Sequence, residues 1–239
     1  MKRSAPFLRL GAVTWAAYAL CGIVFEILRA RAFAAYRAGP SGPDAQGLHE
    51  RLELYATLDW ACHLALGVVL AASLGLFAAS LGRARASVLA WVGCGLQALA
   101  LAASVTSFVA LRTGALGAPE ETGSLVLVEL LWLGRAALGV AALALFLAAT
   151  CVAVERPATA GWAMLGTYLC LAVGGLGLFA YRLFGAVSGS AALDWAGRIV
   201  DYGADGLVVG TLFWGGARLV RQPAPGVPAA ATEQHTNFV

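Results

Sequence analysis

Four ionisable residues near the carboxyl end share one stripe: Asp194, Arg198, Asp201 and Asp205, spaced i, i+4, i+7 and i+11. At about 100° per residue they project from one narrow face of a helix. The stretch around them is otherwise apolar. At about 1.5 Å per residue, Asp205 falls roughly 18 Å along the helix from Leu193, near the midplane of a bilayer. A charge at that depth costs at least about 2.5–3.5 kcal/mol, so it must face protein or water and find a partner. Intramembrane carboxylates and imidazoles are the usual parts of proton relays. His63 and Arg135 lie at similar depths in two earlier apolar segments. The sequence therefore nominates His63, Arg135, Arg198, Asp201 and Asp205 as a cluster lining a path for a proton, an ion or a small anion. The bland alternative is a fixed buried network that specifies helix packing.

The stripe belongs to a recurring pattern. Trp195-Ala-Gly-Arg198 has weaker copies in Trp60-Ala-Cys-His63 and Trp132-Leu-Gly-Arg135, each with an acid upstream: Asp194, Asp59 and Glu129. The segments between them end alike, in Phe25…Arg29, Phe108…Arg112 and Phe179…Arg182. Each unit reads as a helix ending in Arg, a loop, and a helix opening with an acid. That organisation places Arg29 with Asp59, Arg112 with Glu129, and Arg182 with Asp194, as structural ion pairs closing each hairpin. Glu26 has Arg29 as its near partner, and Arg198 can pair with Asp194 or Asp201. The tryptophans suit an interfacial belt.

These residues require membrane-spanning elements to hold them. The chain has 239 residues, 60% of them hydrophobic and only 12% charged, with a mean hydropathy of +0.79; soluble domains carry about 25% charged residues. Six apolar segments emerge, at about 8–29, 54–81, 87–111, 124–154, 159–186 and 193–220. The expected fold is all-α: a polytopic bundle of six transmembrane helices, organised as three tandem hairpins over about 8–81, 87–154 and 159–220. The transmembrane domain takes residues 1–222, and the Pro-rich tail 223–239 reads as disordered. Gly206-x-x-x-Gly210 and Gly174, Gly175 and Gly177 suit close helix packing. The expected location is a bacterial inner membrane with both termini cytoplasmic, from the short basic loops around Arg83, Arg85 and Arg156.

Other chemistries lack their motifs. The charge of +3 is small and scattered, without the basic block that binds nucleic acid. Five cysteines all lie in apolar segments without a C-x-x-C pair, and no Cys/His spacing matches a zinc site. No nucleophile motif or phosphate-binding loop occurs, so no catalytic residue, metal or cofactor is assigned and an enzyme is disfavoured. Three hairpins are also the general plan of mitochondrial carriers, but that family's proline–acid–x–x–basic signature is absent. The expected partners are the lipid bilayer and either a second copy or a membrane complex. The functional expectation is a small transporter or channel-like protein; the alternative is a non-catalytic accessory subunit.

Overall fold

The computed structural model describes residues 4–37, 43–82, 84–113, 122–154, 159–184 and 191–221. These form six helices: α1 (Ala5–Arg37), α2 (Pro43–Ser80), α3 (Ala84–Thr113), α4 (Thr122–Ala153), α5 (Thr159–Phe184) and α6 (Ala191–Arg221). There is no strand among the described residues. α1 to α5 are each long and apolar enough to cross a membrane. α6 is as long but does not reach that apolarity, because Asp194, Arg198, Asp201 and Asp205 all fall in its first half. α2 begins about eleven residues before the apolar run. Pro43 takes its first position, where a missing N–H costs nothing, and the polar stretch through Glu53 continues the helix.

Consecutive helices run antiparallel. Ser4 donates from Oγ to the Ser80 carbonyl at 3.2 Å, joining the start of α1 to the end of α2. Ser87 Oγ does the same to Ala78 at 3.3 Å. At the far end, Arg112 of α3 donates to Thr57 near the start of α2. The helices follow one another round a ring. α6 closes it by packing on α1, and α4 also touches α6 across the interior.

The ring is filled unevenly. Leu8 and Ala12 of α1, Leu70, Leu74 and Phe77 of α2, Phe146 and Leu147 of α4, and Val208, Leu212 and Leu219 of α6 are all buried. They fill the half of the bundle nearest Ser4. Toward the far end, α2 has no buried residue from Gln46 to Leu66, and α1 has none from Trp15 to Arg31. The interior there is not closed by side chains. Outside, Val13, Leu20 and Val24 on α1, Val88 and Val92 on α3, Val173 on α5 and Ile199 on α6 are exposed. An apolar exterior over a partly polar interior is what a membrane protein requires, since lipid cannot hydrogen-bond to exposed polar groups.

Small residues set the close approaches of α6, though not where the sequence suggests. A Cβ at Gly206 or Gly210 would meet nothing within 4 Å, because both lie on the exposed face. The contacts fall at Gly215 and Gly216 instead. There α6 meets Thr150 of α4 and Leu8, Ala5 and Arg9 of α1. In α5, Gly174 and Gly177 likewise face open space, whereas Gly175 lies against Asp201 and Val200.

Candidate functional site

The unfilled half of the bundle holds a cavity of ≈ 450 Å³. α2 contributes His63, α4 contributes Arg135, and α6 contributes Asp201 and Asp205 to its lining. Arg198 does not line this space. It lies in an adjoining cavity of ≈ 430 Å³ between α1 and α6, which also reaches His63, Asp201 and Asp205. A third cavity, of ≈ 520 Å³, extends from His63 and Arg135 toward the far end, past Arg29, Asp59 and Arg112. Tyr18 and His63 border all three spaces.

The polar groups are held by partners from other elements. Asp205 accepts a hydrogen bond at 3.0 Å from the Trp15 indole of α1. Trp15 stacks on Tyr18 with ring centroids 5.0 Å apart, and Tyr18 meets His63 edge-on at 4.3 Å. An aromatic bridge thus runs from Asp205 on α6 through α1 to His63 on α2. Arg135 donates to Ser104 Oγ of α3 at 3.0 Å. Asp201 Oδ1 lies only 3.0 Å from where a Cβ on Gly175 would sit, so the glycine is what lets α5 approach α6 there.

His63 is oriented by its own helix. Its Nδ1 lies 2.8 Å from the Asp59 carbonyl and 2.7 Å from Asp59 Oδ1. One N–H cannot point at both, and Oδ1 is buried without a hydrogen bond of its own, so the bond runs to the carbonyl. A carbonyl only accepts; Nδ1 therefore carries a proton. Nε2 approaches α1 at Gly22, 3.5 Å from where a Cβ would lie.

The ion pairs differ in part from the sequence-based expectation. Arg29 does reach Asp59, with Nη2 3.0 Å from Oδ2. Glu26, expected to turn to Arg29, instead lies 2.7 Å from Arg198 of α6 and accepts from the Tyr202 hydroxyl at 2.9 Å. Arg198 thus reaches α1 rather than only its own helix. The reason is the closure of the ring: α1 sits between α2 and α6, and each neighbour offers a charge opposite to one of its own. Arg112 donates to Thr57 and lies over the Phe108 ring, 5.5 Å from its centroid. The side chains of Glu129, Arg182 and Asp194, expected as pairing partners, lie outside the described residues, as do those of Trp132 and Trp195. Trp60 turns toward α3 and stacks on Phe108 with centroids 3.8 Å apart, lining the far-end cavity rather than forming a lipid-facing belt.

Sequence reasoning misses Trp15, Tyr18, Gln97, Ser104 and Tyr168, all of which line the central cavity. Gln97 carries a usable signal, being a lone amide in an apolar helix. The aromatic residues carry none, since a tryptophan or tyrosine in such a helix is unremarkable by composition. No known protein family matches this chain, and no curated protein or solved structure is detectably similar to it.

Proposed function

We propose that the chain is a small membrane transporter that moves a small anion together with a proton through the far-end cavities. The observation that carries this reading is the convergence of His63, Arg135, Asp201 and Asp205 from three helices on one cavity, set against a closely packed apolar half. In the far-end space three guanidinium groups, Arg29, Arg112 and Arg135, face two carboxylates, Glu53 and Asp59. That excess of positive charge suits a small anion. Asp205 is the proton carrier: held by a neutral indole rather than a cation, it is free to take up and release a proton at the cavity wall. Arg135 holds the anion, and α1–α2, α3–α4 and α5–α6 act as three copies of one hairpin.

A second reading has its own support. The Glu26–Arg198–Tyr202 and Arg29–Asp59 contacts tie α6, α1 and α2 together, as a purely structural network in an accessory subunit would. One experiment separates the two. The purified chain is reconstituted in vesicles holding a pH-sensitive dye, and proton entry is followed after adding acetate, nitrate or phosphate. Transport requires anion-dependent proton entry above that of empty vesicles, lost in Asp205→Asn with thermal stability retained. Flux equal to empty vesicles, or an Asp205→Asn variant that unfolds without any wild-type flux, supports the accessory role.

A further inference from the structure

A second chemistry lies between α1 and α2, beside the far-end cavity that Asp59 and His63 line. Cys21 Sγ, an Asp59 carboxylate oxygen and a His63 ring nitrogen all lie within 4.8 Å of one another. Cys62, one residue before His63, makes a thiol–thiol contact with Cys21. Asp59, Cys62 and His63 are at i, i+3 and i+4, so they share a face of α2 and turn toward Cys21 on α1.

We propose that Cys21, Asp59 and His63, with Cys62 beside them, form a binding site for a divalent transition metal of the zinc class. Four observations converge on it. The first is the donor set: one thiol, one imidazole and one carboxylate are the ligands that borderline-soft divalent ions take. The second is a carboxylate oxygen short of donors: Asp59 Oδ1 is buried without a hydrogen bond, with the His63 ring nitrogen 2.7 Å away, and a cation would complete its coordination. The third is the outer shell. Asp59 Oδ2 is held by Arg29 at 3.0 Å, and the His63 Nδ1 donates to a backbone carbonyl at 2.8 Å, leaving Nε2 to ligate. Such second partners fix the orientation of metal ligands. The fourth is charge: a divalent ion with one thiolate, one carboxylate and one neutral imidazole sums to zero over its ligands, leaving the single charge of Arg29 beside Asp59 rather than a doubly charged ion inside the bilayer. Cys21 loses its thiol proton to solvent as the ion binds. Tyr18 and the cavities beside His63 leave room for a fourth ligand that is water, Cys62 or a bound anion.

This site does not depend on the transport reading. The test uses the full chain, purified metal-free in detergent and titrated with Zn²⁺ and with Co²⁺. Expected are one equivalent bound per chain and, with Co²⁺, a thiolate-to-cobalt charge-transfer absorption. Cys21→Ser should remove that absorption and weaken binding by more than the roughly 10- to 100-fold that losing an outer-shell partner costs. Cys170→Ser, which alters an exposed thiol, should change neither. A measurement on the unmutated chain guards against misfolding: Zn²⁺ should slow alkylation of Cys21 by about tenfold or more, as ligation of the thiolate removes the nucleophile, and leave Cys170 unaffected. The proposal is overturned by the absence of stoichiometric binding, by equal labelling of Cys21 with and without Zn²⁺, or by binding that survives Cys21→Ser. It is equally overturned if binding is lost only on replacing His49, which pairs with Glu53 on the surface of α2.

Discussion

Gly215→Ala is the most direct probe of how the closed half of the ring is held. A Cβ at Gly215 would land on the Thr150 Cγ2 methyl, far inside van der Waals contact. Thr150 cannot easily turn away. It is fully buried, and its Oγ1 donates to the Phe146 carbonyl at 2.9 Å, a bond whose loss in a dry site costs about 1–3 kcal/mol. The helices must therefore separate slightly, and overpacking of this kind costs about 1–3 kcal/mol. At roughly 3 °C per kcal/mol for a chain of this size, the melting temperature should fall by about 3–9 °C. A second substitution tests the cause. Thr150→Ser removes the obstructing methyl and keeps the hydroxyl; alone it leaves a methyl-sized void costing about 1 kcal/mol. In the double variant the new alanine methyl fills that void. Its nearest remaining neighbours are Leu8 Cδ1 at 3.5 Å and Thr150 Cβ at 3.7 Å, both ordinary contacts. The double variant should thus be more stable than Gly215→Ala alone, to be read from thermal aggregation in detergent. If the two losses simply add, the α1–α4–α6 junction is not packed as described and the reasoning fails.

Other outcomes follow from the same geometry. Trp15→Phe keeps the ring stack but removes the indole donor to Asp205. It should slow anion-driven proton entry in vesicles while costing about 1.5–3 kcal/mol, the range of a hydrogen bond to a charged group; unchanged flux would remove Trp15 from the pathway. Gly175→Ala should push α5 away from Asp201, detectable as a longer distance between spin labels on the two helices; an unchanged distance would show that the carboxylate yields instead. Ile199 is 68% exposed on the outer face, so Ile199→Cys carrying a spin label should collide with oxygen in lipid more than with a water-soluble relaxation agent. For orientation, a green fluorescent protein joined to the carboxyl end should fluoresce and alkaline phosphatase there should be inactive; the reverse pattern would place the termini outside.

The number of helices is legible in the sequence because an apolar run of about 20 residues suits a membrane span and little else. The start of α2 is not. Helical hydrogen bonding through Pro43 to Glu53 needs no apolar signature, and the Gly39–Pro40 breaker draws attention away from it. At the site, the charged residues advertise themselves by their cost in lipid, which is why spacing and depth single out His63, Arg135, Asp201 and Asp205. Their partners do not, since Trp15 and Asp205 stand 190 positions apart and only the ring closure joins them. The same closure explains why the sequence points Glu26 to Arg29: local spacing favours that pair, and nothing local reveals α6 alongside. Cys21, Asp59 and His63 escape as a metal site for a related reason: Asp59 and His63 share α2, but the thiol that completes the set stands on α1.

The contacts between α1 and α6 also bear on how the chain is made. During synthesis α1 enters the membrane well before α6 emerges. A charge near the bilayer centre costs about 2.5–3.5 kcal/mol on insertion scales, so α6 is a poor candidate for independent entry. α1 carries the receptors for it: Glu26 for Arg198 and Trp15 for Asp205. Until α6 arrives, those groups on α1 stand without it. α6 is therefore recruited by α1, which must remain reachable beside the translocation machinery until α6 has been made. A chain lacking α1 should leave α6 stranded outside the bilayer, while its four central helices insert unaided.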